Sequence, residues 1–186
     1  MAVVDLSRRV TQDQDEYTYN KRSKESLVFV RGGENIQIQS DTTFNITVGE
    51  VWYNSERHAD TRIGKKGIRL KPQKYIVLKT EQYLAIPYNV CGIVVGKGNN
   101  IFNGGVISTG KIVPGYKGEL RIGYYNAGSE TIILHKGDLL GSCIFFDTEA
   151  TLIEESIDAT YDKVPVLEYI SRRRRIWELF LDNWYK

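Results

Sequence analysis

The chain has 186 residues, 41% of them hydrophobic and 26% charged, which suits one folded domain with short terminal additions and argues against wholesale disorder. Twenty-five Lys and Arg against 23 Asp and Glu leave a formal charge of +2, too small to point to nucleic acid as a partner. No apolar run approaches the roughly 20 residues that a membrane-spanning helix needs.

Residues 1–26 are polar and charged with no sustained apolar period, so they are expected to form a flexible N-terminal arm. They also lack an apolar core followed by a small-residue cleavage site, so no secretory leader is expected. From 27 to 146 the texture changes to short runs rich in Val, Ile, Tyr, Phe and Thr, broken by Gly, Pro and Asn. The expected strands, in order, are SLVFV, NIQIQ, TFNITV, EVWY, KYIVLKT, YLAIP, VCGIVVG, GELRIGYYN, ETIILH and GSCIFF. Many short strands with frequent turns predict an all-β barrel, sandwich or jelly roll. Ile36 and Ile38 alternate onto one face, as do Leu120 and Ile122. The run 90–95 is apolar on both faces, as expected of a strand buried between layers or at a contact between subunits.

Cys91 and Cys143 each sit inside an apolar run and read as buried free thiols of a reducing compartment, which points to the cytoplasm. His58 and His135 are the remaining soft ligands and show no metal spacing, so no zinc site is expected. Residues 147–186 form a C-terminal extension. It begins acidic and irregular, and after Pro165 places Leu167, Ile170, Trp177, Leu181 and Trp184 three, seven, four and three apart. That spacing predicts an amphipathic helix at about 166–185. The four arginines at 172–175 either solvate that helix or meet a phosphate.

The order of motifs between about 70 and 146 resembles the dUTPase and dCTP deaminase superfamily. VCGIVVGKGNN is similar to the strand leading to the family's phosphate motif, and STGKIVPGYKGELRIGYYNAG to its nucleoside hairpin. ETIILHKGDLLGSCIFF is similar to its closing strand pair, and TFNITVGEVW to an early strand. The resemblance implies a dUTPase-like distorted jelly-roll barrel that closes its active sites between the subunits of a homotrimer.

It also implies where a nucleotide would be held, and most of those positions are altered. Lys97 and Gly98, followed by Asn99 and Asn100, match the phosphate motif; lysine keeps a point charge but lacks the planar fork of arginine. The Gly-Lys-Gly-Asn-Asn run reads either as a nest of backbone N–H groups or as a hairpin turn needing positive φ. Val113 stands where dUTPases carry the aspartate that activates water, and Gly123 where the deaminases carry a glutamate; neither accepts a proton. Ser142 and Leu139 replace a glutamine and an arginine of the closing motif. Glu119 and Asp138 are the carboxylates left inside the matched motifs, and both read as turn residues. Tyr116 keeps the family's aromatic floor for the sugar, with Lys111 and Lys117 nearby.

The leading expectation is therefore a non-catalytic nucleotide-binding protein, held as a trimer or a multiple of one, with Lys97, Gly98, Asn99, Asn100, Lys111, Val113, Tyr116 and Ser142 around the ligand and no catalytic residue. One concrete version is a viral protein that sequesters a nucleotide or a nucleotide second messenger. The alternatives are an active dCTP deaminase or dUTP diphosphatase, which would use Mg²⁺, and a structural or protein-binding module whose pocket is vestigial.

Overall fold

A computed structural model describes residues 2–13, 15–16, 28–31, 38–40, 42–54 and 59–148. The expected C-terminal helix with its four arginines, His58, Ile36 and most of the second half of the expected arm lie outside the described residues. In chain order the elements are α1 (Leu6–Arg9), β1 (Val10–Thr11), β2 (Val28–Arg31), β3 (Ile38–Ser40), β4 (Thr43–Asn54), β5 (Ala59–Arg62), β6 (Ile68–Leu70), β7 (Tyr75–Ala85) and β8 (Val90–Gly96). Then follow α2 (Gly98–Phe102), β9 (Gly105–Ile107), β10 (Lys111–Ile112), β11 (Lys117–Asn126), β12 (Ile132–Leu134) and β13 (Leu139–Asp147). The described chain is thus almost wholly β, as expected.

β4 belongs to two layers. Its first half pairs with β13, which in turn pairs with β8 and through it β10. Its second half pairs with β7 and β5, and β7 carries β11 and then β9 on its far side. A strand that leaves one sheet for the other makes the corner of a sandwich or barrel. Alternation then sends Phe44, Ile46, Leu78, Leu84, Ile122, Leu140 and Phe145 into one core, where Phe44 and Phe145 stack with ring centroids 5.7 Å apart.

The corner has a steric and a polar half. At Gly49 an added Cβ would lie 2.7 Å from the Thr80 carbonyl oxygen, so no larger residue lets β4 approach β7 this closely. The ladders slip around that point, between Val48 and Trp52 on β4, Leu139 and Gly141 on β13, and Glu119 and Arg121 on β11. Each slip orphans backbone groups, and buried side chains take them up. The Thr80 hydroxyl accepts from the Leu120 N–H at 2.9 Å and donates to the Gln82 carbonyl at 2.9 Å. The Gln82 amide accepts from the Thr47 N–H and donates to the Thr47 hydroxyl, both at 2.9 Å.

Two expectations change. The first residues of the expected arm are docked rather than loose: Val4 and Leu6 are fully buried, Val4 donates to the Phe145 carbonyl, and Arg9 pairs with Asp147 at 3.2 Å. Two apolar side chains in an otherwise polar stretch suffice to anchor it against the end of β13. The run 90–95 buries only one face within the chain. Val90, Gly92 and Val94 point inward, while Ile93 remains 38% exposed between the partly covered Cys91 and Val95.

On the outer face of the second sheet, Lys79 of β7 and Arg121 of β11 stand directly opposite each other. Like charges so placed repel, and Asp60 of β5 answers both. Arg121 reaches its two carboxylate oxygens at 3.0 and 3.3 Å and Lys79 one of them at 3.1 Å, with Glu119 4.0 Å from Lys79. Burial works to raise the Asp60 carboxyl, and the hydrogen bonds from Arg121 and Lys79 outweigh it, leaving it below the usual carboxylate range.

Thr80→Val should destabilise the protein by about 2–4 kcal/mol in urea unfolding, because it orphans two buried backbone groups at about 1–3 kcal/mol each, whereas Thr80→Ser should retain most of the stability. The Asp60 contribution has a definite sign with pH: its folded pKa lies below the unfolded 3.8, so its stabilisation is present above that value and is lost as pH falls through the folded one. The difference in stability between wild type and Asp60→Asn should therefore be positive at pH 7 and shrink toward zero from about pH 5 to about pH 2. A difference independent of pH would mean that the triad does not form in solution.

Candidate functional site

The expected phosphate-binding residues follow β8. Gly98, Asn99 and Asn100 wind into α2, with the half-buried Lys97 at its start. The hairpin reading with positive φ is thereby replaced: none of the four residues adopts it, because the Asn100 and Ile101 N–H groups bond back to the Lys97 carbonyl as in a helical turn. The Asn100 side chain is committed to the fold, donating to the Leu139 and Leu140 carbonyls at 3.2 and 2.7 Å. It ties the turn to the start of β13. Gly98 and Asn99 are exposed.

Ser142 lies beside this turn by register, opposite Val95, but is buried and donates to the Asn45 side-chain oxygen at 3.1 Å. Within one chain its hydroxyl faces a neighbouring strand rather than an open site.

The remaining three residues sit elsewhere. Lys111 is exposed on β10, opposite Ile93, and Val113 is half-buried in the following turn, its carbonyl accepting from the Tyr116 N–H at 3.1 Å. Gly115 turns with φ 78° against Tyr88, where a Cβ would come within 2.8 Å of the ring. Tyr116 lays its ring on the core and donates its hydroxyl to the Glu119 carbonyl at 2.9 Å.

Ile112 pairs with Gly92, and the chain beyond it runs back toward Ile86, so Val113 and Tyr116 lie near the beginning of β8 and Lys97 beyond its end. Five residues separate Gly92 from Lys97, roughly 16 Å at about 3.3 Å per residue. A single chain does not bring the two halves together.

Gly123 and Ser108 explain one another. The Gly123 N–H donates to the Ser108 hydroxyl at 2.9 Å, the Ser108 N–H donates to the Gly123 carbonyl at 2.7 Å, and a Cβ on Gly123 would lie 3.2 Å from that hydroxyl. A glutamate there would have to displace the serine. Sequence reading singled out Gly123 and missed Ser108, whose partner is visible only through the pairing of β9 with β11. The surviving carboxylates are engaged: Asp138 accepts from the His135 N–H at 2.7 Å, closing the turn before β13, and Glu119 lies against Lys79. Asn126, retained from the resembling motif, is fully buried and bonds Leu70, Glu130 and Gly128, which explains its presence without a ligand. The Cys143 thiol is buried and pushed well above its ordinary range by desolvation, so it is inert. Among the described residues no three His, Cys, Asp or Glu side chains converge as a metal site, and no helix is long and apolar enough to cross a membrane.

Comparison with solved structures matches the dUTPase of EIAV at 20% identity over 69% of this chain and 94% of that one, with a TM-score of 0.51. It also matches the 2'-deoxycytidine 5'-triphosphate deaminase of Agrobacterium tumefaciens at 14% identity, over 67% of this chain and 45% of that one, with a TM-score of 0.55. The shared part is therefore less than half of the Agrobacterium chain, and at these identities the likeness is one of fold. No curated protein matches. The family model described as dCTP deaminase-like matches residues 12–148, which takes in every strand from β2 to β13, and the chain belongs to the dCTP deaminase-like family.

Proposed function

We propose that this protein binds a nucleotide between copies of itself without converting it. The observation that carries the reading is the pair Gly123 and Ser108: the place for a catalytic glutamate is occupied by another residue's hydroxyl. Val113 adds a second position without proton-accepting chemistry. Lys97, Gly98, Asn99 and Lys111 remain accessible to an anionic ligand, and the Tyr116 ring to a sugar.

The need for a second copy is supported by the separation along β8 and by an outward apolar strip. Ile93 pairs with Ile144 and Cys91 with Phe146 across β8 and β13, so these side chains share one partly exposed face. Covering that face with another chain would bring the turn at Lys97 from one copy toward Tyr116 of the next, in a trimer or a multiple of trimers. No protein carboxylate stands beside Lys97 among the residues matched to the phosphate motif, so Mg²⁺ would arrive on the ligand's phosphates rather than in a protein cage. A protein of this kind acts by sequestration, withdrawing a nucleotide or nucleotide second messenger from the cytoplasmic pool.

Family membership supplies the second reading, an active dCTP deaminase or dUTP diphosphatase with relocated catalytic groups. Native mass spectrometry of freshly purified protein, followed by denaturation and identification of the released ligand, separates the two. The expected result is a mass near three times 21.3 kDa, or a multiple of it, with stoichiometric and chemically unchanged nucleotide after incubation with dNTPs and Mg²⁺. Recovery of deaminated or pyrophosphorolysed product would overturn the proposal in favour of the enzyme.

A further inference from the structure

The outer faces of β7 and β11 carry a second pattern, independent of the β8 turn. Register pairs Lys79 with Arg121, Val77 with Gly123 and Tyr75 with Tyr125. The residues between them, Ile76, Leu78, Ile122 and Tyr124, are buried, so the three pairs lie in successive rows on one outward face. The rows read cation pair, small pair, tyrosine pair. Four residues separate Arg121 from Tyr125, roughly 13 Å at about 3.4 Å per residue, and the two strands lie about 5 Å apart.

Each row has chemistry of its own. Tyr75 is 57% and Tyr125 36% exposed, unusual for two large rings side by side on a sheet, and the Tyr125 ring is steadied by a hydrogen bond from its hydroxyl to the Gln73 side chain. The middle row is a trough: Gly123 has no side chain, and its backbone N–H and carbonyl are both taken by Ser108, so it receives a ligand by shape alone. In the first row two cations converge on the single carboxylate of Asp60, with Glu119 only at 4.0 Å from Lys79. Side by side on a sheet, two cations need an anion between them. Asp60 supplies it from the edge strand β5.

We propose that this face binds a phosphorylated aromatic ligand of nucleotide type within one chain. The phosphate sits on Lys79 and Arg121 in place of the Asp60 carboxylate, the sugar lies over Gly123, and the ring rests against Tyr75 and Tyr125. Arg121 already holds its guanidinium in a two-pronged grip on a planar anion, the geometry that recognises phosphate. This site goes beyond the one between copies and uses none of its residues.

Calorimetric titration of the full chain with ADP and with inorganic pyrophosphate tests it. Arg121→Gln should weaken both probes about tenfold or more, as loss of a charged two-pronged contact does. Tyr125→Leu should weaken ADP about fivefold and leave pyrophosphate unchanged, since only ADP has a ring to stack. Asp60→Asn should tighten pyrophosphate about threefold by removing the internal competitor, an effect opposite to that of general damage. Wild-type affinities in Arg121→Gln and Tyr125→Leu proteins that still unfold cooperatively would overturn the proposal. Should Arg121→Gln fail to fold, a lack of tightening in Asp60→Asn would overturn it alone. Lys97→Ala keeps the two sites apart: if it abolishes ADP binding while the β11 variants bind normally, the site between copies stands and this one falls.

Discussion

The close approach of β4 to β7 at Gly49 is the constraint from which the rest of the structure follows. A strand that serves two sheets must bend, and the bend breaks three ladders within a few residues of one another. A broken ladder in a buried place is tolerated only where other groups replace its hydrogen bonds. Thr80, Gln82 and Thr47 do so from inside the corner. Without them the two layers would not share a strand, and the turns on either side would lose their fixed relation to the core. The same bend brings the turn at Asp138 onto Val48, whose N–H and carbonyl bond Asp138 and Gly137. The start of β13, and with it the anchor for Asn100, is therefore set by the corner.

That geometry also decides what one chain can do alone. β8 is a straight spacer with the Lys97 turn at one end and the Tyr116 turn at the other, and nothing in the fold bends it. Residues that resemble parts of one pocket are thus parts of two half-sites. The outward row of Cys91, Ile93 and Val95 flanks the same strand. The continuous apolar run that suggested a doubly buried strand is better read as one buried face and one face made for contact with a copy. The composition was informative; its cause was assembly rather than layering.

Most strands were legible because alternation survives where a strand has one wet face: β7, β11 and β13 lie close to where their sequences place them. The paired runs around Val48 and around Thr80 were read as two strands each and are single bent ones, since a bulge and a turn look alike without the partner strand. β5, β6 and β9 escaped notice because three or four residues cannot establish a period. The docked N-terminal residues escaped because Val4 and Leu6 are isolated among polar neighbours. At the candidate site, sequence named the altered positions, Val113 and Gly123, correctly as chemically silent types. It could not find Ser108, Lys79 or Asp60, because each acquires its meaning from cross-strand register, which no local pattern encodes.

The division between inward and outward rows bears on how family resemblance should be weighed. The motif residues this chain retains, Gly115, Tyr116, Gly118, Asn126 and Gly137, all have duties that the fold alone explains: turns with positive φ, a hydroxyl closing its own hairpin, an amide satisfying three buried backbone groups. Their persistence testifies to the scaffold and carries little information about chemistry. On β11 the inward residues Leu120, Ile122 and Tyr124 build the core, while the outward ones, Arg121, Gly123 and Tyr125, owe nothing to it. Those are the positions free to change without loss of fold. A scaffold kept by its inward rows and a function rewritten on its outward rows is the arrangement that a sheet, with its period of two, makes easiest. The activity of this chain is therefore to be read from side chains that the family motifs do not contain.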